Sequence, residues 1–143
     1  IDVLFYGGIG ERRGAIIDAL IATGLRVVVS TNLYGESRDN LLSRAKVLLN
    51  VHHHAAKVLE MVRISYPLIN GCVVVSEPGS DLELAAELNG AVVFADYEDI
   101  VDTCVRVVAS PHVRSEYSKN ARSIMRSRPQ STFVGELLGR ANQ

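Results

Sequence analysis

The chain has 143 residues, of which 48% are hydrophobic and 22% charged, and its formal net charge is -1. A domain of this size can bury a substantial core, and a near-neutral balance gives no bulk attraction for nucleic acid or an anionic membrane. No apolar run reaches the roughly 18 residues a spanning helix needs, and no signal peptide is visible. The sequence begins at Ile1 with a strand pattern at once, which reads as a piece of a longer polypeptide. Cys72 and Cys104 form no CxxC pair. They read as two small apolar residues rather than a disulfide, which fits a reducing cytoplasm.

Five short β-branched runs are expected as strands, over 2–6, 25–30, 47–51, 72–76 and 91–95. They are apolar throughout, as parallel strands covered on both faces are. Helical patterns lie between them. The first, over 11–23, sets Ile16, Ile17, Leu20 and Ile21 on one face, and Gly24 stops it. Further helices are expected over 37–45, 55–70, 81–88, 97–109 and 112–126, with a terminal one from about Ser131. Pro67 falls in the last turns of the 55–70 helix and should loosen its backbone. The alternation predicts one three-layer, Rossmann-like α/β domain with a mainly parallel sheet of five or six strands. Ligands of such sheets bind beyond the carboxyl ends of the strands.

Four segments at those ends carry chemistry. The first strand runs into Gly7-Gly8-Ile9-Gly10-Glu11-Arg12-Arg13-Gly14. Glycines let a backbone approach a ligand, and a helix start offers free N–H groups to phosphate. Gly8, Gly10 and Gly14 have a dinucleotide-type spacing, but the second strand ends Ser30-Thr31-Asn32, without the acid that would take an NAD ribose. A plain strand-to-helix turn is the alternative. His52-His53-His54 follows the third strand. Adjacent histidines point apart, so no metal is expected. His52 facing the cleft and bonding a phosphate or sugar hydroxyl competes with simple loop polarity. Lys57, Glu60 and Arg63 are spaced by three, along one face of the expected 55–70 helix, either toward the cleft or as a solvated ion-pair stripe. Finally, Glu77 ends the run Val73-Val74-Val75-Ser76. A carboxylate there could take two sugar hydroxyls. It could instead cap the next helix, although Ser80 or Asp81 suits that role better.

The stretch Leu59-Glu60-Met61-Val62-Arg63-Ile64-Ser65-Tyr66, followed by Asn70-Gly71-Cys72-Val73-Val74-Val75-Ser76-Glu77, resembles the donor-site segment of bacterial glycosyltransferases of the GT-B fold. Residues 91–100, then Ser110-Pro111-His112-Val113-Arg114 and Asn120-Ala121-Arg122, resemble the tail of that C-terminal, nucleotide-sugar-binding domain. The resemblance implies a donor-binding half whose acceptor-binding N-terminal domain lies elsewhere in the polypeptide. It implies transfer from a nucleotide-diphosphate sugar co-substrate without an obligatory metal or other cofactor. Glu77 would bind the donor ribose, Gly8 and Gly10 would approach the sugar or diphosphate, and Arg12 would offset diphosphate charge. One departure concerns the family's paired glutamates. Tyr66 occupies the place of the second, and Glu60 lies eleven residues before Gly71. A non-catalytic Rossmann-like ligand-binding or signalling module is the alternative function. A nicotinamide oxidoreductase is disfavoured by the missing acid.

Overall fold

A computed structural model describes residues 1–54 and 57–129, together with 131, 134, 135 and 138. In chain order the elements are β1 (Val3–Tyr6), α1 (Glu11–Ala22), β2 (Val27–Ser30), α2 (Gly35–Arg44), β3 (Val47–Asn50), α3 (Met61–Ile69), β4 (Val74–Ser76), α4 (Leu82–Glu87), β5 (Val92–Phe94), α5 (Ile100–Ala109) and α6 (Pro111–Arg126). The five strands form one parallel sheet in the order β2-β1-β3-β4-β5. Most of the expected terminal helix from about Ser131 lies outside the described residues.

Strand periodicity divides the core. Val3, Phe5, Val47, Leu49, Val73 and Val75 face Ile16, Ile17 and Leu20 of α1 and Ile100, Cys104 and Val107 of α5. Leu4, Leu48, Val74 and Val92 face Leu42 of α2, Ile64 and Leu68 of α3, and Ala121 and Met125 of α6. Each strand thus presents one apolar row to each helical layer, which is why the strand runs carry no polar alternation. The two thiols are free and lie in opposite layers. Burial pushes the Cys104 thiol up to about 12, so it behaves as a small hydrophobe.

The largest departure from the expected elements is α3. It starts at Met61 rather than 55, and Lys57 adopts a left-handed φ of 49°. The cause is a competing backbone partner. The Ser80 N–H donates to the Lys57 carbonyl at 2.8 Å. Gly79 lies so close that a Cβ there would come within 3.0 Å of the Leu59 Cβ. The segment before α3 is therefore tied to the loop after β4 and cannot wind into the helix. Glu60 becomes the N-cap residue and Arg63 falls in the first turn, while Lys57 lies outside the helix. The three charges do not share one helical face.

Pro67 sits inside α3, as expected. Its ring nitrogen cannot donate to the carbonyl four residues back, that of Arg63. The Tyr6 hydroxyl, from the end of β1, donates to this carbonyl instead at 2.9 Å. The sheet edge and the helix are stitched at the point where proline opens the helical ladder.

Tyr6→Phe should therefore cost about 1–2 kcal/mol, because it leaves a partly buried carbonyl unpaired. In a Pro67→Ala background the helical N–H returns and the cost of Tyr6→Phe should shrink. A double-mutant cycle of urea midpoints reads this coupling, and additive effects would remove the stitch from the account.

Candidate functional site

The strand order reverses direction between β1 and β3, so the crevice beyond their carboxyl ends is the topological switch point of the sheet. The chain leaves β1 through Gly7, whose φ of 130° a residue with a side chain rarely adopts. It reaches α1 at Gly10, an N-cap without a side-chain acceptor.

Arg13 organises this edge. It belongs to the buried stripe of α1, one turn before Ile16 and Ile17, and is only 3% exposed. Its Nε donates to the Val51 carbonyl beyond β3 at 2.7 Å, and Nη1 donates to the Gly8 carbonyl at 2.9 Å. Nη2 reaches Glu60 Oε1 at 3.1 Å. The second oxygen of Glu60 pairs with Arg63 Nη2 at 2.9 Å. One carboxylate is thus shared by two guanidiniums. Arg63 fits beneath Gly7, where a Cβ would lie 2.5 Å from its Nη2. Its Nη1 is buried without a hydrogen-bond partner. Burial lowers the Arg63 pKa, against the opposing pull of Glu60.

Arg12 forms the second cluster. Its guanidinium forks onto Glu77, with Nη1 to Oε2 and Nη2 to Oε1, each at 2.5 Å. Nη1 also donates to the His52 carbonyl at 3.3 Å. The Tyr97 ring lies 4.0 Å beneath the guanidinium, and the Tyr97 hydroxyl donates to the Arg12 carbonyl at 2.9 Å. Glu77 itself is 2% exposed and accepts a further bond from the His52 N–H at 2.9 Å. The expectation of a carboxylate free to take two sugar hydroxyls is corrected: Glu77 is a buried anion that joins the ends of β3 and β4 to α1. It does not cap α4, where Asp81 accepts from the Leu84 N–H.

His52 is also buried, at 3% exposure, and its Nε2 donates to the Pro78 carbonyl at 3.0 Å. It does not face the cleft. Its neighbour His53 does, lying over Gly10 and lining a cavity of about 550 Å3 with Arg12 and Tyr97. A larger cavity of about 760 Å3 opens on the other side of the glycine loop, where Glu60 and Arg63 line it with Gly7. The sequence-derived residues therefore divide. Gly10 and Arg12 border the small cavity, Glu60 and Arg63 the large one, and His52 and Glu77 lie behind them. Gly8 gives its carbonyl to Arg13, and no neighbour lies within 4 Å of where its Cβ would be. Arg13, His53, Tyr97 and Tyr6 were not singled out from the sequence. For Arg13 the signal was present, since an arginine at the i−3 and i−4 position to Ile16 and Ile17 shares their face. Among the described residues no three His, Cys, Asp or Glu side chains come together as metal ligands.

Comparison with known proteins relates the chain to mimivirus proteins. It is 32% identical over 114 residues to the uncharacterized protein R358 of Acanthamoeba polyphaga mimivirus, covering 76% of this chain and 40% of that protein. It is 33% identical over 110 residues to protein L138 of the same virus, covering 75% of the chain and 12% of L138. With protein L140 the identity is 28% over 139 residues, or 95% of the chain and 46% of L140. The chain spans less than half the length of each of these relatives. No family model and no solved structure matches it. The expected membership among bacterial GT-B glycosyltransferases is thereby corrected: the relatives are viral and uncharacterized, and the residue strings that carried the resemblance occur without a match to any such family.

Glu77 also sets an acid limit on stability. Burial alone would raise its carboxyl, but the Arg12 fork and the His52 N–H outweigh that and hold it below the usual value. Asp2 is held far lower, by Lys46, the Arg26 N–H and the Arg26 side chain. A carboxyl depressed in the folded state contributes stability above its unfolded pKa of about 4 and loses it as the pH falls through the folded value. Urea midpoints should be flat from pH 7 to about 5 and decline below about 4. Glu77→Gln should cost about 1.5–3 kcal/mol at pH 7, since it removes a charge-assisted fork, and should flatten part of the acid limb. An unchanged acid limb in this variant would show that Glu77 carries none of it.

Proposed function

We propose that this chain holds a nucleotide-diphosphate sugar at the carboxyl edge of its sheet, as the donor-binding part of a larger glycosyl-transferring protein. The observation that carries the reading is Arg12 beside the glycine turn after β1, its guanidinium fixed by the buried Glu77 and facing the cavity that His53 lines. Arg12 stands where the glycine backbone and the start of α1, which has no side-chain cap, are open to an anion.

Arg12 is the residue placed to meet the diphosphate. Of its five N–H donors, Nη1 uses two, on Glu77 and the His52 carbonyl, and Nη2 uses one on Glu77. The Nε–H and the second Nη2 hydrogen remain, and the side chain is 29% exposed beside the cavity with His53. A phosphate can take these donors without displacing Glu77, whose fork keeps the guanidinium in place. In a transfer reaction the departing diphosphate gains negative charge, and a fixed guanidinium stabilises that growth more than it stabilises the ground state. His53, which lines the same cavity, supplies a group for sugar or ribose hydroxyls.

A non-catalytic ligand-binding module is a second reading. One observation favours it: Glu60 and Glu77, the two carboxylates expected to contact a donor, are both engaged by arginines.

Calorimetric titration of the chain with UDP-, GDP- and dTDP-sugars tests the proposal. At least one should bind, and no transfer is expected from the chain alone. Arg12→Gln should weaken binding about ten- to a hundredfold, the equivalent of about 1.5–3 kcal/mol. Because that variant also strands Glu77, His53→Ala serves as a control that should leave the melting temperature alone and still weaken binding. Absence of binding by all three donor classes would overturn the reading.

A further inference from the structure

The crevice beside Arg12 leaves one large concavity unused. It lies between the ends of β1 and β2, the start of α2 and the start of α3, with a volume of about 760 Å3. Small-molecule sites range over roughly 300–1,000 Å3. Its rim carries Tyr34 at 77% exposure, Val58 at 67% and Val62 at 97%. A single exposed apolar side chain is ordinary, but several around one concavity mark a binding face. The fold has no use for these three. The buried side of α3 is made by Ile64, Pro67 and Leu68.

Cations line the same space. Arg38 lies 3.7 Å over the ring of Tyr66 and pairs with Asp39 at 3.0 Å. Arg63 gives one nitrogen to Glu60 and has the other unpartnered. Glu60, the one carboxylate of the lining, is already shared with Arg13. An apolar mouth over an incompletely neutralised pair of guanidiniums is complementary to a molecule with an apolar body and an anionic end. A neutral lipid would leave the cations unpaired, and a bare anion would leave the apolar rim wet.

We propose that the cavity between α2 and α3 is a binding site for an amphipathic anion of the aryl or alkyl phosphate class. The apolar body lies against Tyr34, Val58, Val62 and Tyr66, and the phosphate is met by Arg63 and Arg38. The Glu60–Arg63 pair forms the wall between this site and the Arg12 crevice. The ligand would then be a second substrate facing the donor. That role rests on the nucleotide-sugar reading, whereas the binding does not.

The test is calorimetric titration of the intact chain with phenyl phosphate, octyl phosphate, inorganic phosphate and phenol. The two esters should bind about tenfold or more tightly than inorganic phosphate or phenol. Val62→Glu places a like charge at the rim and should weaken the esters about tenfold without moving the melting temperature, since Val62 is 97% exposed. Arg38→Gln should weaken them as well. His53→Ala lies across the wall and should leave ester binding unchanged. Equal affinity for esters and inorganic phosphate, or ester binding indifferent to Val62→Glu, would overturn the inference. So would a sedimentation profile in which the chain self-associates through this face, Val62→Glu dissociates it, and no ester binds. If nucleotide sugars bind and the esters do not, only this inference fails. If the esters bind and nucleotide sugars do not, only the donor reading fails.

Discussion

A guanidinium buried to 3% exposure must find oxygens, because an unpaired buried charge costs several kcal/mol. Arg13 finds them on three segments that are far apart in sequence: the Gly8 carbonyl after β1, the Val51 carbonyl after β3, and Glu60 before α3. The two carbonyls lie just beyond strand ends, and Glu60 is shared with Arg63. The constraint therefore works in both directions. The loops hold Arg13 in place, and Arg13 fixes the mutual positions of the glycine turn and the α3 start. The two cavities are walls and floors built on that arrangement. Arg12 repeats it one residue earlier on α1, with Glu77 and the His52 carbonyl, so that adjacent arginines clamp the ends of three neighbouring strands, β1, β3 and β4, from one helical turn.

The polarity of the sheet explains why cations gather at both edges for different reasons. The helices that follow the strands end at the amino edge. Arg114 donates to the last carbonyls of α5, from Val107 and Val108, and Arg122 donates to the Asn70 carbonyl beyond α3. Arg44 is the last residue of α2. These cations answer the negative ends of helices and the carbonyls left over there. At the carboxyl edge the nearest helix terminus is the start of α1, which is itself positive. Arg12, Arg13 and Arg63 stand there against the local field, held by Glu77 and Glu60. Positive charge that the helix dipole does not ask for is better explained by a ligand than positive charge that it does.

The layered architecture was legible in the sequence because it rests on period. Strand runs without polar alternation, broken by helices with one apolar face, admit few arrangements, and the parallel five-stranded sheet is one of them. The site was legible only as a set of segments. Sequence spacing put Glu60 and Arg63 on one helix with Lys57, and could not see that the Ser80 N–H takes the Lys57 carbonyl and holds off the helix. It preferred Arg12 to Arg13 on family grounds, although the Ile16, Ile17 and Leu20 stripe already placed Arg13 inside. It chose His52 from three identical neighbours, where only the alternation of an extended chain decides which one points inward. The residue strings that resembled those of bacterial glycosyltransferases are short runs at strand ends and helix starts, and they pointed to a family that the relatives do not support.

Glu77 shows how a correct location can carry a wrong environment. Placing an acid at the end of β4 follows from the position of Val73, Val74 and Val75 alone. Its exposure does not, because that depends on what the neighbouring loops bring over it. The His52 N–H and the Arg12 fork hold the carboxylate, while the His52 ring donates to the Pro78 carbonyl of the turn that follows. A buried anion satisfied by a fork and a backbone N–H has little reason to leave that arrangement for ribose hydroxyls, which are weaker, neutral donors. A ligand at this edge is therefore better held by donors that remain free on Arg12 and by His53, which already faces the cavity, than by rearranging the ion pair that keeps the crevice in shape.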